Sequence, residues 1–345
     1  MDSADHESAE WRHQRLGREE VRLALARAYH GFQRHRGLDE AAALAFFSAL
    51  AVFPASLSVV SVVALLDDRT RAPGDILRVV GEVAPHSTVA ALTGPIKQLL
   101  SIPSPGYALA TGLVLCLWTL SGYVTAVGRT VNSAYEVQEG RQWIPLRATM
   151  LVVAAALMVA GGIAALLLLG TPGVAASLAA VWKLPLGVVI AWDIAKWPVL
   201  GLLAIFAVSI LYFYSPNVRH LRIRWATAGA LLAIVAWVLA TTGFAIYVLN
   251  LSHYNKTYGW LGGAIVLLLW LYLSNLVVVA GAEMDAELVR VRQLMAGIHA
   301  EREIRLPLRG VRRIETLERW QQEDVRNGRL LRERGERRRA KAPTS

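Results

Sequence analysis

The sequence predicts an all-α polytopic membrane protein with six transmembrane helices. Of its 345 residues, 55% are hydrophobic and 18% are charged, which is too apolar for a soluble chain with a net charge of +10. Six apolar stretches, flanked by Arg, Lys, Pro or Gly, each reach the roughly 20 residues that cross a hydrocarbon core as helix. They are residues 41–66, 107–127, 148–170, 188–212, 226–249 and 259–282.

The distribution of Lys and Arg predicts that both termini are cytoplasmic, because inner loops retain positive charge. The side with the termini carries 29 of the 36 basic residues, the opposite loops carry 6, and Lys196 lies inside a span. Residues 1–40 are then a cytoplasmic N-terminal segment and 41–282 the membrane domain. Residues 283–345 are a basic cytoplasmic tail, predicted to be loose helix and disorder after Pro307. We expect the first span to stay as an anchor, since about 40 polar residues precede it.

The first span contains Pro54 near its middle. A proline removes a backbone donor, bends the helix and leaves the carbonyl near residue 50 to be satisfied elsewhere. Ser48, Ser56 and Ser58 are predicted to help. Two interpretations stand side by side: Pro54 shapes a cavity or hinge, or it is an ordinary kink of a membrane helix.

The outer loops are predicted to hold short interfacial helices. Residues 67–106 and 171–187 contain apolar residues at helical spacing, punctuated by prolines. The last outer loop, residues 250–258, has only nine residues, so the helices on either side must be antiparallel neighbours. Glycines of the last and third spans are interpreted as points of close helix contact: Gly259, Gly262 and Gly263, and Gly161 and Gly162.

The fourth span carries the ionisable pair Asp193 and Lys196. Ionisable residues in a span are costly and mark functional candidates, and a spacing of three lets these two share a helix face. They lie in the outer half, so one interpretation is a polar group at the mouth of an outward-facing cavity, able to meet a charged headgroup. The other is an interfacial ion pair, with Trp192 and Trp197 as aromatic anchors.

Polar residues also mark the last span and its inner end. Ser274 and Asn275 are predicted to form hydrogen bonds between helices. Beyond them, three carboxylates are predicted to cluster with three arginines of the neighbouring inner loop. Such a cluster locks helix ends together or faces a substrate from the cytoplasm. The residues are Glu283, Asp285 and Glu287 with Arg219, Arg222 and Arg224.

Signatures of enzymes and metal sites are missing from the sequence. It has no GxxxxGK[ST] phosphate loop and no HExxH or HxHxDH cluster, and its eight histidines are scattered. The single cysteine, Cys116, excludes an intramolecular disulfide. We therefore expect no cofactor, no metal and no enzymatic activity.

The expected partners are membrane lipids with anionic headgroups, a homo-oligomer is left open, and nucleic acid is not expected. The basic tail either binds such a partner or is a solvated anchor that holds the topology.

Several stretches resemble the YihY/BrkB family of bacterial inner-membrane proteins. They are ALAFFSALAVFPASLSVVSVVALL, WTLSGYVTAVGRTVNSAYEV, YSPNVRHLRIRWATAGALLAIVAWVLATTGFAIYVLN and YGWLGGAIVLLLWLYLSNLVVVAGAEMDAE, and the resemblance covers about residues 25 to 290. It implies a six-helix protein of the cell inner membrane with both ends inside. Some members carry a ribonuclease name, which we interpret as a misassignment because a metal-dependent nuclease needs ligand clusters that this chain lacks. Others are associated with lipid movement and serum resistance.

Two functions follow as hypotheses. The first is a transporter or lipid translocase without ATP hydrolysis, with Pro54 shaping a groove, Asp193 and Lys196 at its outer mouth, and inner arginines attracting anionic headgroups. Asn275 and Glu283 are further candidates for the substrate path. The second is a membrane scaffold or envelope-integrity protein that transports nothing. A translocase needs polar side chains that converge on a groove, whereas a scaffold packs its helices dry.

Overall fold

The computed structural model describes residues 16–66, 104–169, 185–219, 228–250 and 254–340. Its regular elements are eight helices, so the predicted all-α class is confirmed. They are α1 (Arg18–Arg34), α2 (Gly37–Leu66), α3 (Pro105–Ala134), α4 (Trp143–Leu169), α5 (Leu186–Tyr214), α6 (Ala228–Asn250), α7 (Tyr254–Met295) and α8 (Arg312–Ala340). The six helices α2 to α7 are long and apolar enough to cross a membrane, as the sequence predicted.

Helix ends differ from the predicted spans mainly where polar residues continue a helix. α7 continues beyond the apolar span that ends at residue 282 and runs to Met295, the few further turns expected from apolar residues such as Leu288, Val291 and Leu294. α1 occupies a segment for which no helix was predicted. The tail forms the continuous helix α8 where loose helix and disorder were predicted. α8 has no internal proline and is rich in Arg, Glu and Leu, which are strong helix formers. The predicted interfacial helices of 67–106 and 171–187 fall almost entirely outside the described residues.

α7 is the central helix of the bundle, and it packs against α1, α2, α3 and α6. The other neighbouring pairs are α1 with α2, α2 with α3, α3 with α4 and α5, and α5 with α4 and α6. α6 and α7 run antiparallel, as the short loop between them required. Trp237 donates to Ser274 over 3.0 Å near the middle, while Gly229 at the start of α6 lies against Asp285 near the end of α7.

Protein covers the spans unevenly. Within the apolar 18-residue stretch of each helix, the buried share is 33% in α3 and 28% in α2, against 11% in α5 and 6% in α6. The buried core lies between α2, α3 and α7, with contributions from α4 and α5. Its larger members include Leu44, Val124, Val131, Met150, Val153 and Val279. Large apolar side chains such as Phe53 and Leu202 are exposed on the outside, as expected of surfaces that face lipid.

Several glycines lie where helices approach closely, and Gly281 and Gly112, which were not predicted to do so, are two of them. A methyl group on Gly281 would lie 2.6 Å from Tyr212 Oη and 2.7 Å from Ala233 Cβ, so α7 touches α5 and α6 there. A methyl group on Gly112 would lie 2.7 Å from Ser58 Oγ, where α3 crosses α2. Among the described residues, a methyl group on Gly161, Gly162 or Gly263 would meet no atom within 4 Å, so the close contacts predicted for these three were wrong. Those of Gly259 and Gly262 stay predictions.

Candidate functional site

The predicted ion pair between Asp193 and Lys196 forms on α5. Lys196 Nζ lies 2.5 Å from Asp193 Oδ1, and it also lies 5.5 Å from the centre of the Trp197 ring. The lysine side chain is 10% exposed and the aspartate 44% exposed. Asp193 is seven residues into α5, or about 10 Å along it. The pair therefore places a half-exposed carboxylate on a span that little protein covers, where a charged group outside the bundle can reach it.

Asn275 joins three helices in the middle of the bundle. Its Nδ2 donates to Ser48 Oγ of α2 over 3.1 Å and to Leu271 O over 2.8 Å, while Tyr123 Oη of α3 donates to its Oδ1 over 3.0 Å. The side chain is only 3% exposed. The predicted interhelical hydrogen bonds of Ser274 and Asn275 are thus confirmed. Both donor positions of the Asn275 amide are used, which ties α7 firmly to the packed half of the bundle.

Pro54 lies inside α2, which continues on both sides of it. The three serines do not satisfy the carbonyl near residue 50 as predicted. Ser48 donates to Leu44 O, Ser56 to Phe53 O and Ser58 to Pro54 O, each over 2.8 to 2.9 Å. A helical serine reaches the carbonyl three or four residues earlier, so only positions 53 and 54 could serve residue 50. Pro54 O also lies beside Gly112, at the crossing of α2 and α3.

The three carboxylates at the end of the last span form a buried cluster, but with other partners than predicted. His35 Nδ1 lies 2.8 Å from Glu283 Oε1. Tyr135 Oη donates to Asp285 Oδ2 over 3.1 Å, and Arg27 Nε donates to Glu287 Oε2 over 2.8 Å. The three acidic residues are 2 to 8% exposed. α1 and the turn after α3 supply these partners, because both pack on α7 at this level.

Of the three arginines predicted to face these carboxylates, one is described. Arg219 is exposed, and its backbone N–H donates to Pro307 O over 2.8 Å, next to an antiparallel bridge between Val218 and Leu308. It thus follows α5 on the surface of the bundle end. Arg222 and Arg224 lie outside the described residues.

Arg290 extends the cluster into a chain of alternating charges. Its fully buried guanidinium donates to Glu287 Oε1 and to Ala300 O, both over 3.1 Å. Its Nη2 lies 3.0 Å from Glu136 Oε2, although the angle is outside that of a hydrogen bond. Arg34 pairs with the other oxygen of Glu136 at 2.8 Å. The charges alternate in the order Arg27, Glu287, Arg290, Glu136, Arg34, and they join α1, α7 and the turn after α3.

A second polar junction fastens the loops beside this chain. Arg141 donates to both oxygens of Glu139 and to Ser215 O. Asn217 is fully buried, and its side chain bonds to Gln138 O and to both the N–H and the carbonyl of Gly310. Arg309 donates to three carbonyls at the end of α5: Phe213, Tyr214 and Val218. The turn after α3, the end of α5 and the segment before α8 are therefore one unit.

Burial and hydrogen bonding shift the pKa of two groups in these loops. Burial raises the pKa of Tyr135 well above its usual value, and the neighbouring Asp285 carboxylate adds to the effect, so the phenol stays protonated as a donor. Burial by itself would raise the pKa of Glu139. The hydrogen bonds and charge of Arg141, with Asn132, outweigh it and lower that pKa, so Glu139 stays ionised.

Residues missed at the sequence level supply most of these contacts. The pair of Glu287 and Arg290 was detectable, because they are three apart on one helix. The pair of Arg27 and Glu287 spans 260 residues and leaves no local signal. In the described part of the chain, no group of three or more His, Cys, Asp or Glu side chains could hold a metal ion. What these sites offer chemically is charge pairing and hydrogen bonding.

Comparison with known proteins gives a consistent picture. A sequence profile described as Virulence factor BrkB matches residues 28–303. A protein named putative ribonuclease-like protein YfkH from Bacillus subtilis is 31% identical over 275 residues, covering 78% of this chain and 96% of its own. A UPF0761 membrane protein from Verminephrobacter eiseniae is 30% identical over 220 residues, covering 64% of this chain and 50% of its own. One from Alteromonas mediterranea is 38% identical over 101 residues, covering 29% and 34%. No solved structure matches.

Proposed function

The chain belongs to the Virulence factor BrkB family, and from that premise we propose that this multi-pass membrane protein moves lipids with anionic headgroups across the cell inner membrane without ATP hydrolysis. The proposal includes cytoplasmic N and C termini, because the basic residues crowd the side of the bundle that carries α1 and α8. It includes no enzymatic step. The ribonuclease-like name belongs to the Bacillus subtilis relative, and we do not extend it to this chain.

The observation that carries the proposal is a half-exposed charged pair on a loosely covered span. Only 11% of the apolar stretch of α5 is buried, and the Asp193 side chain is 44% exposed. A charge inside a bilayer needs a partner. The half-exposed Asp193 carboxylate offers an acceptor to the hydroxyl groups of a lipid headgroup, and Lys196, which is 10% exposed, is the neighbouring cation for its phosphate. The headgroup can then pass along the face of the protein while its acyl chains stay in the hydrocarbon.

Uneven packing supplies a fixed half and a movable half. α2, α3 and α7 share a buried core and the Asn275 bridge, while α5 and α6 have few buried side chains. Elements with few buried contacts open at low free energy. We assign Pro54, Asn275 and Glu283 to holding the fixed half. Asp193 and Lys196 form the outer gate, and Arg219, Arg222 and Arg224 attract anionic headgroups at the inner end.

The test is movement of headgroup-labelled phosphatidylglycerol in proteoliposomes. We compare the native chain with Asp193→Asn and Lys196→Gln at equal reconstitution, using labelled phosphatidylcholine as the lipid control. Losing a partly exposed charge contact of about 1.4 kcal/mol slows movement about tenfold. The matched control is Ile194→Ala, because Ile194 is a neighbouring exposed position without charge. We expect that variant to keep native rates.

Two outcomes would contradict the proposal. If the native chain moves no anionic lipid faster than empty vesicles do, lipid translocation is refuted. If the native chain moves lipid and both charge variants match it, the protein is a translocase whose gate lies elsewhere than Asp193 and Lys196.

The second candidate is a membrane scaffold, and the buried charge chain around Arg290 favours it. Breaking such a network is costly, so this end of the bundle is built to stay in one arrangement. If the protein is a scaffold without transport, we expect the cell envelope to keep its native stability when Asp193 and Lys196 are changed. We expect the envelope to lose stability when the Arg290 network is broken. A homo-oligomer fits either function, and crosslinking in native membranes tests it.

A further inference from the structure

α8 is a long helix that the other described residues leave uncovered. It spans 29 residues, or about 43 Å, and its described side chains are exposed along nearly the whole length. Trp320 and Leu331, large apolar residues that water disfavours, are 59% and 66% exposed. The helix carries ten arginines against six acidic residues. A helix of this length with exposed Trp and Leu calls for a surface to cover it.

The start of α8 is fixed to the bundle at the end where the spans terminate. Arg313 N–H donates to Gly140 O over 3.1 Å, and Gly310 just before the helix bonds to Asn217. Gly140 belongs to the loop between α3 and α4, and Asn217 follows α5. The first turn of α8 therefore lies at the level of the span ends, where the headgroups of the bilayer begin.

Apolar and basic residues share one face of α8, and acidic residues mostly avoid it. At about 100° per residue, five of the six large apolar residues of α8 fall within an arc of about 140°, and the sixth, Leu330, lies outside it. The same arc holds four of the ten arginines and one acidic residue, Asp324, while the other five acidic residues and six arginines lie on the rest of the surface. The apolar positions are Ile314, Leu317, Trp320, Val325 and Leu331, and the arginines are Arg313, Arg332, Arg338 and Arg339.

Pairing with a second α8 fits this pattern poorly. A two-stranded coiled coil needs apolar residues at positions three and four apart along one seam. The seam that begins at Ile314 and Leu317 continues with Gln321, Asp324 and Gly328. A lipid surface accepts the pattern, since arginines extend to headgroups beside buried apolar side chains and tryptophan favours that boundary.

We propose that α8 docks on the anionic bilayer surface beside the spans, with the face that contains Leu317 and Arg332 turned to the lipid. The charges are complementary: the face that would enter the interface has four arginines and one acidic residue, a larger positive excess than the six arginines and five acidic residues elsewhere on α8. The headgroups concerned are those of the bilayer itself. This docking does not depend on lipid translocation, and either can hold without the other.

The test follows the depth of the two faces in the full chain. In nanodiscs, single cysteines at Leu317→Cys and at Gln322→Cys on the opposite side carry an environment-sensitive fluorophore, with the native cysteine replaced as Cys116→Ala. With phosphatidylglycerol present, we expect the label at 317 to shift to the blue and to be quenched by spin-labelled lipid, while the label at 322 does neither. In discs of phosphatidylcholine alone both responses are lost.

A pair of charge variants distinguishes oriented docking from general attraction. The first replaces Arg313, Arg332 and Arg338 by Gln, and the second replaces Arg312, Arg319 and Arg326 on the other side by Gln, so each removes three charges. We expect only the first to release the label at 317 from lipid. Equal effects of the two would overturn the oriented docking. The docking would also be overturned if the labels at position 317 of two copies of the protein lay close together. A fluorescence response to added RNA, with none to anionic lipid, would overturn it as well.

Discussion

At the scale of single residues, Arg290 compensates carboxylates from two distant parts of the chain. It is fully buried between Glu287 and Glu136. We predict that Arg290→Met lowers the free energy of unfolding by about 3 to 5 kcal/mol, because the buried Glu287 and the partly buried Glu136 lose their shared cation. Thermal unfolding in detergent measures it. The control is Arg332→Met, whose partner Glu336 is 3.7 Å away on the exposed surface of α8, with an expected change below about 1 kcal/mol. Equal effects would contradict the network.

Glu139 gives the bundle a dependence on acid. Its pKa in the folded protein lies below the ordinary value of 4.5. As the pH falls below about 4.5 the unfolded chain takes up this proton first, so the stability from Glu139 is present above that pH and is lost below it. We predict that Glu139→Gln lowers the unfolding temperature at neutral pH, and that its difference from the native chain shrinks as the pH falls. A difference that stays constant down to about pH 3 would show that Glu139 contributes no such linkage.

Residues close in sequence were predictable as partners, and distant ones were not. The spacing of three between Asp193 and Lys196 predicted their pairing, since a helix brings such positions to one face. Asn275 was predictable as an interhelical donor because an amide in a span must find a partner. That the partners are Ser48 and Tyr123 depends on how three helices are arranged, which local spacing does not encode.

At the scale of elements, α7 approaches its neighbours through Gly281. We predict that Gly281→Ala destabilises the protein by about 1 to 3 kcal/mol, because the added methyl group overlaps Tyr212 Oη and Ala233 Cβ. Gly161→Ala is the matched control, since open space surrounds that position. Unfolding temperatures of both variants in the same detergent check this. If both variants lose the same stability, α7 does not depend on close contact at Gly281.

Hydropathy predicts the spanning helices well and the amphipathic ones poorly. All six spans were identified because a membrane helix is apolar all round. α1 is polar overall, yet its small residues Ala24, Ala28 and Gly31 follow helical spacing and are buried. The first two belong to the apolar cluster that includes Met284 and Leu288 of α7. The pattern was in the sequence, but it is carried by small residues that a hydropathy scan barely counts.

At the scale of the whole molecule, the segment between α7 and α8 closes the bundle end, whereas α8 itself stays outside. We predict that a chain ending at Val311 keeps its free energy of unfolding within about 0.5 kcal/mol, since few contacts of α8 are lost. A chain ending at Ala300 should lose about 2 kcal/mol or more, because the buried Ile304 and the bonds of Arg305 and Arg309 go with it. Unfolding of both truncated chains in detergent tests this. Native stability of the shorter chain would show that the closing segment is dispensable.

Overall architecture was predictable in outline, and its asymmetry was not. The number of spans and the antiparallel neighbours α6 and α7 followed from the lengths of apolar stretches and of one loop. The division into a packed half and a thinly covered half could not be predicted from the sequence. Spans that face lipid and spans that face protein have similar compositions when every side of the helix is apolar.

The pairing of the first helix with the last span also constrains biosynthesis. Arg27 and His35 find their partners 260 and 248 residues later in the chain, so α1 emerges from the ribosome long before Glu287 and Glu283 exist. At synthesis rates of about 5 to 20 residues per second, α1 waits some tens of seconds without its partners. The packing of α1 on α7 can therefore form only after the last span has been made.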